Sequence, residues 1–442
     1  MSNETIRAKL YLPAQAAAET EATIIAWKVA EGDSFEKDDT LAEVESAKTS
    51  FTFEAPCDGA VVSLLYGAGD TVSFEEPVIE IETSDKSVLE EAPAVENTAG
   101  ESEKTEEPHM DVSPSVTQSS REDGEICLLG IGSYVPERVV KTADLLDEFP
   151  GVTAEYIVGV TGIKERRWAS EDQKPSDLAY NAAVQALEKS NLTNKDIDGI
   201  IVTTTTPDII MPSTACLLQE KLGARGVPSF DLSAACSGWL YGITVAKGLI
   251  LAGVGDRILV VGVDMHSRLL DKKDKGTFFL FGDGAGATIV SRGTDGHPLG
   301  KSIITADSKG INMAWRGLSG FRLSDGDDDN YVRLDGYALF RFATESFSTM
   351  IRDVITKSGW EPDDVRWVVP HQANGRILKA AAKKSGVSFD RFFLNIDHMG
   401  NTSSASIPLA LTEIERGLQK KDKLVLCSVG AGITAAAISI QW

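Results

Sequence analysis

The sequence predicts a mixed chain, a small all-β sandwich followed by a duplicated α/β unit. Three observations carry this prediction. Residues 1–85 repeat one turn-and-strand pattern, residues 86–123 lose most large apolar side chains, and from residue 124 onward apolar runs alternate with helical ones. The 442 residues leave room for two to four domains at about 100–200 residues each.

The front element rests on the repeat. EGDSFEKDDTLAEVE (31–45) and AGDTVSFEEPVIEIE (68–82) share Gly-Asp, a polar turn, then apolar residues alternating with acids. Alternation marks half-buried strands and Gly-Asp marks a turn. Two such halves predict a quasi-twofold sandwich over 1–85. Between them, EVESAKTSFTFEAP interrupts the strand pattern and places Lys48 at a hairpin tip. The next stretch, 86–123, is rich in Glu, Ser, Pro and Thr. It has too little apolar surface to offset chain entropy, which predicts a disordered acidic linker.

The α/β body is expected to divide into halves at 124–296 and 297–442. DGIIVTTTTP (198–207) leads into a helical run as WVVPHQAN (367–374) does later, and LSAACSGWLYGI (232–243) rhymes with NTSSASIPLALT (401–412). Continuous apolar strands between helices indicate sheets buried on both faces.

Charge and cysteine usage exclude several functions. The net charge is −23, of which −13 falls in residues 1–85 and −7 in 86–123. An acidic chain is a poor nucleic-acid binder. No run of about 18 apolar residues and no apolar signal core appear, which predicts a cytoplasmic chain without a membrane partner. Five scattered cysteines without CxxC argue against a disulfide framework or a metal site.

Three residues stand where chemistry is expected. Cys236 follows an apolar stretch and opens a helical pattern among Ala234, Ala235, Ser237 and Gly238. A helix N-terminus favours thiolate, although a cysteine among small residues is also ordinary packing. His371 follows a buried strand, with Gln372 and Asn374 beside it, where α/β folds place their sites. Asn401 begins another loop-to-helix junction, where it is also a natural cap. The other four histidines lie at 109, 266, 297 and 398 in contexts that suit linker, packing, turn or loop roles.

AACSG, FGDGAGA (281–287), HQANGRI and GNTSSASIP together resemble the beta-ketoacyl carrier-protein synthase III family over nearly all of 124–442. The resemblance implies the thiolase fold, duplicated halves in five layers, and a homodimer. It implies decarboxylative condensation of an acyl thioester, from acyl-CoA or another donor, with malonyl on acyl carrier protein, without metal or redox cofactor. Cys236 would be the acylated nucleophile, and His371 and Asn401 would hold the malonyl thioester carbonyl. Gly432, in SVGAGIT, matches the position whose N–H joins that of Cys236 in an oxyanion hole. Arg268 matches a CoA-gripping arginine, Tyr156 and Val160 stand where a Trp–Arg clamp is usual, and Met211 stands where an aromatic limits acyl-pocket depth. Arg376, Lys379, Lys383 and Lys384 form a cationic stretch that suits an acidic carrier. Two alternatives stay open, a non-decarboxylating acyltransferase and a non-catalytic acyl-carrier scaffold. Thiolases proper use a second cysteine before a late glycine cluster; Cys427 sits three residues before Gly430, one off the expected register, and reads as core.

Residues 1–85 resemble lipoyl and biotinyl carrier domains. Gly32, Gly59 and Lys48 match the family's two glycines and attachment lysine. The flanks Ala47 and Thr49 are not the methionines of biotin carriers, so lipoyl on Lys48 is the first reading. Biotin and an unmodified docking domain are the others.

Overall fold

Alternation in the sequence becomes strands with one buried face. In Pro77–Thr83, Val78, Ile79 and Ile81 are buried and Glu82 is exposed. The computed structural model describes residues 5–12, 21–46, 50–73, 76–85, 125–317 and 330–442. The chain divides into two units, Met1–Ser119 and Ser120–Trp442.

The front unit holds two four-stranded sheets. One orders Ile6–Tyr11, Pro77–Thr83, Gly59–Leu64 and Ser34–Phe35; the other orders Ser50–Glu54, Thr40–Ser46, Glu21–Trp27 and Thr71–Ser73. Ile24, Leu41, Val44, Val72 and Ile81 fill the core. The repeat is visible in its turns. Gly32 and Gly69 take φ +90° and +95°. The Asp33 carboxylate accepts from Ala30 N–H at 2.8 Å, and that of Asp70 accepts from Gly67 N–H at 2.7 Å. Thr40–Ser46 and Ser50–Glu54 pair with Glu45 opposite Ser50. Lys48 belongs to the three residues joining them, which lie outside the described residues, as do all of 86–123, where a linker is expected.

The second unit is built on nine strands. They are β1 Ile126–Tyr134, β2 Gly199–Thr203, β3 Ser229–Leu232, β4 Arg257–Met265, β5 Asp283–Arg292, β6 His297–Ala306, β7 Val365–Pro370, β8 Lys423–Gly430 and β9 Thr434–Gln441. Their order is β3-β2-β4-β5-β1-β6-β9-β8-β7. Read outward from the β1–β6 seam, both halves run alike. An antiparallel pair follows the first strand, then a parallel neighbour, β2 beside β4 and β7 beside β8. The first half adds β3, whereas the second keeps only a single bridge from Val368 to Phe392.

Seven helices of eight or more residues complete the described body: α1 Ala154–Thr161, α2 Pro175–Lys189, α3 Thr214–Leu222, α4 Gly238–Leu251, α5 Gly336–Lys357, α6 Gly375–Ser385 and α7 Ser406–Ile414. α2 covers β1, β4 and β5 on one outer face, and α5 with α6 covers the other half. α4 and α7 lie between the two half-sheets and touch both, so the expected five layers are present. Trp239, Leu240 and Ile243 of α4 meet Ile407, Ala410 and Leu411 of α7 in one buried cluster.

The outer layer depends on close approach. A Cβ on Gly132 would overlap the Ala182 carbonyl oxygen and stand 2.5 Å from the Ala186 nitrogen, both backbone atoms of α2. Gly132→Ala is therefore expected to destabilise the body by about 1–3 kcal/mol. A lowered denaturation midpoint checks this; an unchanged one contradicts the packing described.

Candidate active site

Both central helices begin at the site. β3 ends at Leu232, and the turn Ala235–Ser237 carries Cys236 into α4. The matching turn Ser403–Ala405 leads into α7. His371 follows β7, where its N–H donates to the Cys427 carbonyl at 2.7 Å. Leu280 and the FGDGAGA motif that follows it hold Asn401 in place, since Asn401 N–H donates to Leu280 O at 2.9 Å and its carbonyl accepts from Gly282 N–H at 3.0 Å.

Residues 401–406 reach all three expected side chains. Asn401 Oδ1 accepts from Ser403 N–H at 2.9 Å, which leaves the amide N–H groups as the free end. Ser403 O–H donates to Cys236 Sγ at 3.6 Å. Ser406 Oγ lies 2.7 Å from His371 Nδ1. The three turns involved each hold a non-glycine residue at positive φ: Ala235 at 45°, Ser403 at 50° and Ile433 at 38°. Such strain persists only where surrounding packing enforces it, and it gathers at functional sites.

The turn Ala431–Ile433, with Gly432 at φ +75°, packs against the Cys236 turn. Ser428 O–H donates to the Cys236 carbonyl at 2.8 Å. The glycine pressed against the Cys236 amide is Gly430, where a Cβ would stand 2.8 Å from Cys236 N. A Cβ on Gly432 would meet nothing within 4 Å.

Electrostatics depart from the sequence expectation. A helix start favours thiolate, but burial pushes the Cys236 thiol up to about 12, helped by the Asp264 charge and opposed by the Ser403 hydrogen bond. Burial likewise holds His371 down at about 3, against the pull of Asp264. Desolvation outweighs the helix terminus here. At neutral pH the site carries a neutral thiol, a neutral imidazole and a neutral amide.

The remaining expected residues lie apart from this cluster. Arg268 is exposed, and its guanidinium donates to the carbonyls of Ser170, Glu171 and Gln173 at 2.7, 3.0 and 2.8 Å. It borders a cavity of about 770 Å³ with Lys174, Thr206, Met265 and Arg316. Met211 is 84% exposed, beside exposed Ile209 and Ile210, and so does not wall a pocket inside its own chain. Tyr156 lies on α1 against an apolar cluster that includes Phe278 and Phe279. Arg376, Lys379 and Lys383 are exposed on α6, with Arg376 Nε donating to Gly159 O at 3.1 Å. Cys427 is fully buried, as its register implies. Among the described residues no group of three or more His, Cys, Asp or Glu could hold a metal. No described helix is long and apolar enough to cross a membrane.

Sequence reasoning missed Ser403, Ser406, Ser428 and Asp264. The crowding of hydroxyls in NTSSAS and an acid closing the apolar run RILVVGVD were the available signals.

Comparison with known proteins agrees with this architecture. Residues 230–308 match the model of 3-oxoacyl-[acyl-carrier-protein] synthase III, and 355–442 match that of its C-terminal part. Residues 8–81 match the biotin/lipoyl model described as "Biotin-requiring enzyme". The beta-ketoacyl-[acyl-carrier-protein] synthase III of Clostridium acetobutylicum is 40% identical over 321 residues, 71% of this chain and 98% of the relative. The synthase of Staphylococcus haemolyticus is 40% identical over 315 residues, 71% and 97%. The solved synthase III of Aquifex aeolicus superposes with a TM-score of 0.67 at 37% identity, covering 72% of this chain and all of that one. That of Thermus thermophilus gives 0.67 at 39%, covering 72% and 99%. Fold and relatives define the class, a thiolase-fold protein preceded by a lipoyl-like domain. Within that class, the chain belongs to the beta-ketoacyl-[acyl-carrier-protein] synthase III family.

Proposed function

We propose that the chain condenses an acyl thioester starter with malonyl on acyl carrier protein through an acyl-Cys236 intermediate. The observation that carries this reading is the 401–406 turn, which ties Asn401, the Cys236 sulfur and the His371 ring together.

In the first half-reaction Cys236 sulfur attacks the acyl carbonyl. The acyl C–S bond of the donor breaks, and the thiol proton leaves with the departing thiol. Amide N–H groups at the Cys236 and Gly432 turns are the candidates for holding the oxyanion, and donors of this kind are typically worth about 3–4 kcal/mol each. In the second half-reaction the malonyl group loses carbon dioxide, and its electron pair passes to an enolate. This step requires the His371 ring proton on Nε2, with Nδ1 accepting from the Ser406 hydroxyl 2.7 Å away. That proton and the Asn401 amide hold the enolate oxygen. The enolate carbon then attacks acyl-Cys236, and the sulfur leaves with the bonding pair and takes a proton from solvent, which restores the thiol. Neutral donors suit this step, because an acidic imidazolium would protonate the enolate carbon.

Arg268, at the edge of the cavity of about 770 Å³ and tied to three carbonyls of the 170–173 segment, supports a CoA grip in which it also holds that segment. The exposed Ile209, Ile210 and Met211 support a homodimer in which a second copy covers them. Exposed Arg376, Lys379 and Lys383 support docking of an acidic carrier protein. The front unit fits a carried group through its hairpin, Thr40–Ser46 paired with Ser50–Glu54, which brackets Lys48. A lipoyl group on Lys48 would carry acyl groups only in its reduced dihydrolipoyl form, as an S-acyl thioester, and in that form would be a source of acyl for Cys236 within the same chain.

Intact mass of the full chain from its native host tests the modification. A mass increase of one lipoyl group, lost in Lys48→Arg, is expected. A biotin increment or an unmodified mass would overturn the lipoyl reading and leave the condensation reading standing. Malonyl-dependent carbon dioxide release tests the condensation itself. Acyl transfer without that release would replace it with a non-decarboxylating acyltransferase.

A further inference from the structure

Asp264, at the end of β4, is fully buried. Its carboxylate accepts six hydrogen bonds. Oδ1 takes Thr205 N–H at 2.8 Å, Thr205 O–H at 2.9 Å, and the hydroxyls of Thr204 and Thr206 at 3.3 Å each. Oδ2 takes Ser404 N–H at 3.1 Å and Ser404 O–H at 2.9 Å. Among the described residues it has no ion-pair partner. Arg316 lies in its field but donates to the Thr205 carbonyl at 3.2 Å.

A buried carboxylate is costly unless its lone pairs are satisfied. Here six neutral donors satisfy them, without a direct ion pair among the described residues. Those donors come from two segments. One is the loop after β2. The other is the turn whose Ser403 meets Cys236 and whose Asn401 and Ser406 serve the other half-reaction. The structure assigns Asp264 the role of a positioning residue, a buried carboxylate that holds Ser404 by its N–H and its hydroxyl and so sets the turn carrying Ser403 and Ser406, with a fixed negative charge beside the site. This rests on the reading of Cys236 as nucleophile.

The charge acts in one direction on both groups. It opposes thiolate at Cys236 and favours positive charge on His371. His266, stacked on Phe281 at 4.8 Å, lies in the same field with Asp283 and Arg316. The thiol therefore stays protonated at rest. It becomes nucleophilic only as its proton departs with the leaving thiol, and this protects the buried sulfur from adventitious alkylation and oxidation.

The test reads the rate of Cys236 alkylation by iodoacetamide against pH, located by peptide mapping, in the full chain. Asp264→Asn removes the charge. It is expected to move the inflection down by about one pH unit or more and to cut kcat by about tenfold with little change in KM. Ser404→Ala and Thr205→Val each delete a donor and keep the charge. They are expected to lower kcat and leave the inflection in place. An unmoved inflection in Asp264→Asn, or an equal shift in Ser404→Ala, overturns the proposal. Should Asp264→Asn not fold, unchanged kcat in both donor variants overturns it. Failure of the nucleophile reading looks different, as turnover that survives loss of Cys236.

Discussion

Cys236→Ala is expected to abolish both acyl capture and condensation, a loss on the order of a thousandfold or more in turnover. The reason is positional. The sulfur sits at the start of α4, between the two half-sheets, where Ser403 and the 428–433 segment surround it. No second thiol can replace it there. Cys427 is fully buried with its sulfur toward the Phe347 carbonyl, and Cys216 lies on α3 against Ser213. The substitution removes a small group from a half-buried position, so the melting midpoint should change little. Rates of product formation with equal folded fractions check this. Persistent turnover in the alanine variant would remove the cysteine from the mechanism.

His371→Ala is expected to separate the two half-reactions. Acylation of Cys236 should stay within about threefold, because the thiol proton leaves with the donor thiol. Malonyl decarboxylation and condensation should fall by about a hundred- to a thousandfold, the usual cost of one preorganised oxyanion donor. Asn401→Asp sharpens the test. It keeps an acceptor for Ser403 N–H, so the turn survives, but it replaces the amide donor with a charge that repels an enolate. Because burial holds His371 down at about 3, the imidazole is already neutral well below neutral pH. The condensation rate should show no limb from this group between about pH 5 and 9. Single-turnover labelling of Cys236, beside carbon dioxide release from malonyl carrier protein, separates the steps. Equal loss of both would contradict the assignment.

Much of the fold was legible because its causes are local. Gly32 and Gly69 announce the same turn with the same aspartate bond, and the buried runs of β2, β4 and β8 read as continuous apolar strands. The loss of a fifth paired strand in the second half was not legible, since Phe392 makes one bridge on the strength of tertiary packing alone. At the site, motifs singled out Cys236, His371 and Asn401, the three side chains that the 401–406 turn brings together. The state of the sulfur was not legible. A helix start is a sequence feature, whereas the desolvation that overrides it depends on which distant segments close the pocket. Arg268 and Met211 show the same limit. A motif places an arginine near a cavity, but only the fold shows three carbonyls occupying it, and only the fold turns Met211 outward. Asp264 shows in the sequence only as an acid closing an apolar run; its place at the site depends on donors from positions 204–206 and 404, far apart in the chain.

The central claim is that an acyl group resides on one sulfur between the two halves. Brief incubation of the full chain with a labelled acyl thioester, followed by peptide mapping, tests it most directly. One acyl group on the peptide bearing Cys236, discharged when malonyl carrier protein is added, is the predicted result. Product formation with the label on another residue, or with none on the protein, would contradict it.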